Sequence, residues 1–136
     1  GESGHRRYWQ MIVVDGKEYD VIVNEVDLDT EFVYKYAERT KDFSLKYELG
    51  AVYFNQSITF GIGKSNSDFS KLWDLLSDKG IDNGTGHNVQ IWTPIGKLTF
   101  LMYPNGVKVK MLREKGGDTW WTGMQVKFIA VKPSRS

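Results

Sequence analysis

Between Met11 and Ala130 the apolar residues recur with a period of two in nearly every segment, and with a helical period in one window alone. Successive side chains on an extended strand point to opposite faces, so this patterning calls for strands with one face buried. "MIVV-DG-KEYDVIVN" places two such runs around Asp15-Gly16, a strong hairpin signal. In its second arm Tyr19, Val21 and Val23 share a face. "EFVYKYAERT" sets Phe32, Tyr34 and Tyr36 against Val33, Lys35 and Ala37, and "SLKYEL" aligns Leu45, Tyr47 and Leu49. "VYFNQSITF" carries Val52, Phe54, Ile58 and Phe60 on one face, interrupted by Gln56, with Tyr53, Asn55, Ser57 and Thr59 opposite. "VQIWTPIGKLTFLMYPNGVKVKML" predicts three short strands turning at Pro94-Ile95-Gly96 and Pro104-Asn105-Gly106. "EKGGD" leads into the last strand.

The helical window is "SNSDFSKLWDLLSDKG", where Phe69, Leu72, Trp73 and Leu76 fall on one face and would lie on the sheet. Ser67 suits the N-cap, Asp68 the positive first turn, and Gly80 the end. The expected architecture is α+β and mainly antiparallel, a sandwich or open barrel with one helix packed on it. A chain of 136 residues, 40% hydrophobic, is long enough for one domain with a real core. Residues 1–10, "GESGHRRYWQ", read as a leader or vector-derived segment outside the fold, and residues 11–136 as the domain.

Adjacent tryptophans, Trp120 and Trp121, cannot both enter the same core from a regular strand. Strict alternation puts Trp120, Met124, Val126, Phe128 and Ala130 inside, and Trp121, Gln125 and Lys127 outside. Trp121 is then either sheltered by a loop or the helix, or an anchor for a partner. Trp121, Gln125 and Lys127 form the first candidate contact face, with Tyr53, Asn55 and Thr59 as the second.

Chemical motifs are sparse. The chain has no cysteine and a net charge of +1, which removes thiolate chemistry, cysteine zinc sites and the basic excess of a typical nucleic-acid binder. No apolar run reaches the roughly 20 residues of a membrane span and no signal peptide is evident, so a cytoplasmic origin is expected. "GIGKS" at Gly61–Ser65 follows a strand and precedes a helix, but a phosphate-binding loop needs glycine where Ile58 stands. Of the histidines, His5 lies in the leader and His87 in a glycine-rich loop without an evident second ligand. Asp27, Asp29 and Glu31 lack the glycine and distant glutamate of a calcium loop and are expected in a solvated acidic turn. Asn55-Gln56-Ser57 and Asn83-Gly84-Thr85 match the glycosylation pattern, without the secretory context that would give it meaning. No carboxylate spacing identifies a hydrolase. The expectation is a non-enzymatic protein needing no metal or cofactor.

Several segments resemble small proteins from the tail modules of long-tailed bacteriophages and prophages of Gram-positive bacteria. "MIVVDGKEYDVIV" is similar to their opening hairpin. Ala37-Glu38-Arg39-Thr40 followed by Gly50-Ala51-Val52-Tyr53-Phe54-Asn55 resembles their next segment. "FSKLWDLLSD" resembles their single helix, and "WWTGMQVKFIAVKPSR", with Pro133-Ser134-Arg135, their closing strand. The resemblance spans most of Met11 to Arg135. It implies a tail-tube-like β-sandwich with a flanking helix, associating with copies of itself, in rings, and with other tail or baseplate proteins. It also implies assembly in the cytoplasm of a bacterial host and residence in the virion tail, with no nucleic-acid or membrane partner. The alternative from a different class is a carbohydrate-binding module using Trp9, Trp92 and Trp121 as a stacking platform.

Overall fold

The computed structural model describes residues 9–42, 44–77 and 86–135. Its elements are β1 (Trp9–Val14), β2 (Lys17–Arg39), β3 (Leu45–Phe60), β4 (Gly63–Lys64), α1 (Asp68–Leu76), β5 (His87–Thr93), β6 (Gly96–Lys115) and β7 (Asp118–Ala130). The sheet is antiparallel throughout, in the order β3-β2-β1-β5-β6-β7-β4, and β3 also pairs with β7. That extra pairing closes the sheet into a barrel, with β4 hydrogen-bonded beside β3 on the edge of β7. Among the described residues the architecture is therefore the expected α+β class, mainly antiparallel strands with one short helix.

Inward residues of the barrel and the apolar stripe of α1 form a single core. Ile12, Val14, Val21, Ile58, Phe60, Val89, Ile91, Met102, Val126 and Phe128 meet Phe69, Leu72 and Leu76 there. The helix is short and draws its stability from this packing. The N–H of Ser67 donates to the Ser70 hydroxyl at 3.2 Å, and the Asp68 carboxylate accepts the Asp20 backbone N–H at 2.9 Å, fastening the first turn to β2. Trp73, expected on the sheet, lies at the rim of the stripe and is 41% exposed. The proposed Gly80 terminus, His5 and the loop up to Thr85 lie outside the described residues.

Three expectations are revised. β1 begins at Trp9, two residues before the expected boundary, where Trp9 opposes Ile22. "DLDTE" is no turn: Asp27, Asp29 and Glu31 alternate with Val26, Leu28 and Thr30 in the middle of the 23-residue β2. Pro104-Asn105-Gly106 is likewise a bulge within one long β6, because Pro104 still opposes Phe128 and Val107 opposes Val126.

Two devices hold the barrel at its weakest seam, where Val14 and Val89 make the β1–β5 ladder. At one end Asp15, in a left-handed conformation (φ 53°), accepts the Asn88 N–H at 2.8 Å and bonds His87 Nδ1 at 2.7 Å through its carboxylate. At the other end lies Gln56, whose side chain is fully buried. Its Nε2 donates to the Trp92 carbonyl at 2.7 Å, and its Oε1 accepts the Trp92 N–H at 3.1 Å. The amide thus does for β5 what a missing neighbouring strand would do. This explains a polar residue on an otherwise apolar face, since unpaired buried backbone groups are costly.

Candidate protein-contact surface

The tryptophan pair shows how a single glycine redirects a surface. Gly123 has φ +67° and is the extra residue between the pairs Lys108–Gln125 and Lys110–Thr122, a bulge on β7. Past the bulge the alternation is reversed. Trp121, not Trp120, packs on the core, and its indole N–H donates to the Thr119 hydroxyl at 2.8 Å. Trp121 joins Phe69, Trp73 and Val109 around an apolar cavity of about 290 Å³ between α1 and the β6–β7 hairpin. Trp120 turns outward, with the Arg113 guanidinium 4.9 Å and the Lys64 ammonium 5.5 Å from its ring centre. Lys64 and Arg113 oppose Trp120 from the two strands flanking β7, so the three form a row across the sheet.

The remaining contact candidates separate. Gln125 and Lys127 are exposed on the outer face of β7, and Thr59 stands beside them on β3, opposite Gln125. Tyr53 is half-buried on β3, opposite Glu31. Asn55 is not available as a contact residue: it is 6% exposed, and its Oδ1 accepts the buried N–H of Ala130 at 2.9 Å. The end of β7 curls over it. As for the sugar-platform residues, Trp92 packs on the core from β5 and lies outside the cavity that Trp121 lines, while the Trp9 side chain is outside the described residues.

What the residue reading missed is how charge is laid across β2, β3, β7 and β6. Exposed Glu25, Asp27, Asp29 and Glu31 run along the outer face of β2. Exposed Lys108, Lys110, Arg113 and Lys115 run along β6. One cross-strand row reads Glu25, Thr59, Gln125, Lys108, and the next reads Asp27, Ser57, Lys127. The chain's net charge of +1 hides this segregation. The signal was present as acids at every second position of "EVDLDTE", once that stretch is read as a strand. Among the described residues, β2 from Val23 onward pairs with β3 alone, and β6 from Pro104 onward with β7 alone. Each margin of this sheet is thus a strand edge, one acidic and one basic.

Beyond the barrel, β2 and β3 continue as a two-stranded ribbon. From Thr30 to Arg39 it extends roughly 30 Å. Phe32 (53%), Leu45 (48%) and Leu49 (43%) are exposed along it. Bulges at Gly50 and Lys35 twist it, and Lys35 and Glu48 form an ion pair at 3.3 Å. Its tip is tied by Asp42, whose carboxylate accepts from the Thr40 hydroxyl and the Ser44 N–H. Those bonds hold the Asp42 carboxyl below its usual range.

The glycines of "GIGKS" serve packing. A Cβ on Gly61 would lie 2.5 Å from Ile22, and one on Gly63 2.1 Å from the Phe69 ring. The Ser65 N–H is spent on the Thr119 carbonyl at 2.8 Å, so it is not offered to a phosphate. Among the described residues no group of His, Asp or Glu is placed to hold a metal ion, and no helix is long and apolar enough to cross a membrane. No known protein-family model matches the chain, and no curated protein sequence matches it significantly.

Proposed function

We propose that the chain is a structural or assembly component of a long-tailed phage-type tail, working through contacts with copies of itself and with other tail proteins. The observation that supports this reading best is the sheet β3-β2 and β6-β7 ending in two open edges of opposite charge. Unprotected edges invite pairing, and natural monomers usually blunt or cover them. Here the acidic edge of one copy complements the basic edge of the next. Repeated in one sense, that is a heterologous contact, which closes a ring where the rotation permits. Charge complementarity of this kind fixes orientation and partner choice more than raw affinity. The cytoplasm of a bacterial host during assembly, and then the virion tail, are the locations that go with this role.

Two charge-reversed proteins test it. Glu25→Lys with Asp27→Lys makes both edges basic, and Lys108→Glu with Lys110→Glu makes both acidic. Native mass by light scattering should show the unaltered chain forming larger species at low salt. Each variant alone should lose them, and an equimolar mixture should recover them. A chain that stays monomeric at every concentration and salt, or variants that assemble as well as the parent, would overturn the reading.

A further inference from the structure

Residues 131–135 do not leave the barrel when β7 ends. Phe128 opposite Gln56 is the final β3–β7 pair, yet the chain continues along the same edge of β3. Asn55 takes the Ala130 N–H, the Phe54 N–H donates to the Ser134 hydroxyl at 2.9 Å, and Val52 and Arg135 form an antiparallel bridge. In that bridge the Val52 N–H donates to the Arg135 carbonyl at 3.1 Å, and the Val52 carbonyl accepts the Ser134 N–H at 2.8 Å. The Arg135 guanidinium sits 5.5 Å above the Phe54 ring. The strap therefore consumes the outward main-chain groups of β3 where the ribbon leaves the barrel.

We infer that residues 132–135 are a displaceable guard over an interaction edge of β3, and that the occupant of the opened edge is the same edge of a second copy. The strap is held by one bridged pair and a few bonds, and its own Lys132, Pro133 and Arg135 are exposed, so releasing it costs little of the fold although it covers the buried Val52. What it uncovers is the Val52–Phe54 stretch, which continues the already exposed ribbon that carries Leu49 and Leu45. The second copy follows from geometry. The edge already accepts an antiparallel partner, and two copies of one strand edge related by a twofold axis meet antiparallel. This contact is separate from the pairing of acidic and basic edges and does not rest on the tail reading.

The test compares the full chain with a variant ending at Val131, both checked for folding by near-ultraviolet circular dichroism, by light scattering over a concentration series. The truncated protein should dimerise at concentrations at least roughly tenfold below the full chain, a shift of about 1.4 kcal/mol. Coincident mass curves from a folded truncation would overturn the inference. Should the truncation fail to fold, Ser134→Pro in the full chain removes both the N–H and the hydroxyl of the strap's central residue. Amide exchange at Val52 and Phe54 should then quicken in dilute solution and slow again as concentration rises. Exchange that stays as in the parent, or stays fast at every concentration, would overturn it equally.

Discussion

The barrel and the ribbon are built from the same two strands, β2 and β3, yet they obey different rules. Inside the barrel Ile58 and Phe60 are buried against α1 and the strands opposite, and each inward side chain has a layer of partners. A few residues further out, Phe32, paired with Val52 of β3, is 53% exposed, and Leu45 (48%) and Leu49 (43%) on the other strand are exposed as well. Burial of apolar area is what stabilises a fold, so the barrel holds itself together and the ribbon's apolar residues contribute little to the isolated chain. A two-stranded ribbon alone is marginal in water. Apolar side chains kept on such an element make sense if a partner supplies the missing layer.

The sharpest break of this comparison is a pair of matched truncations. Phe128→Ala removes a fully buried ring and should cost about 3–5 kcal/mol, read from the midpoint and slope of a urea titration. Phe32→Ala should stay within about 0.5 kcal/mol of the parent. Equal losses would mean that the ribbon belongs to the core. Gln56→Leu comes next, because it strands the Trp92 N–H and carbonyl at the seam. Each group left without a partner should cost roughly 1–3 kcal/mol, and the Trp92 amide should lose exchange protection ahead of its neighbours. Gly123→Ala forces a side chain into a left-handed conformation. It should cost about 1–2 kcal/mol and change tryptophan fluorescence, since the bulge decides which indole faces α1. Unchanged fluorescence would sink that assignment.

The smallest effect belongs to the ribbon tip. The folded pKa of Asp42 is depressed by its hydrogen bonds, so its contribution is complete above the unfolded value of about 3.9 and is lost as pH falls through the folded value. Acidification should therefore loosen the Ser44 amide in a proton-exchange or chemical-shift titration while the barrel amides hold. Loosening on the alkaline side would contradict the sign.

Much of this was legible in the sequence. Period-two alternation, the Asp15-Gly16 hairpin and the one helical stripe gave the class, because each is a local signal that tertiary packing reinforces. The rest was hidden where one residue changes parity. Alternation assigns Trp120 to the core, and Gly123 reverses it. Asn55 and Gln56 look like surface and interruption until β7 and β5 come close enough to use their amides. The turn expected at Pro104–Gly106 vanishes into one long strand because a bulge absorbs the extra residues, whereas the acidic turn expected at Asp27–Glu31 is simply strand, paired with β3 in unbroken register. Contact faces were only partly readable for the same reason. Gln125, Lys127 and Thr59 do share a face, but the charge gradient across it exists only once β2 and β6 are known to be its margins.

The most direct measurement is hydrogen exchange across the whole chain at increasing protein concentration, compared between barrel and ribbon. The account predicts that barrel amides are protected in dilute solution, and that amides of residues 29–39 and 45–51 exchange quickly there and slow markedly as subunits associate. Ribbon amides as well protected as the barrel in the dilute protein, or indifferent to concentration up to the solubility limit, would contradict it.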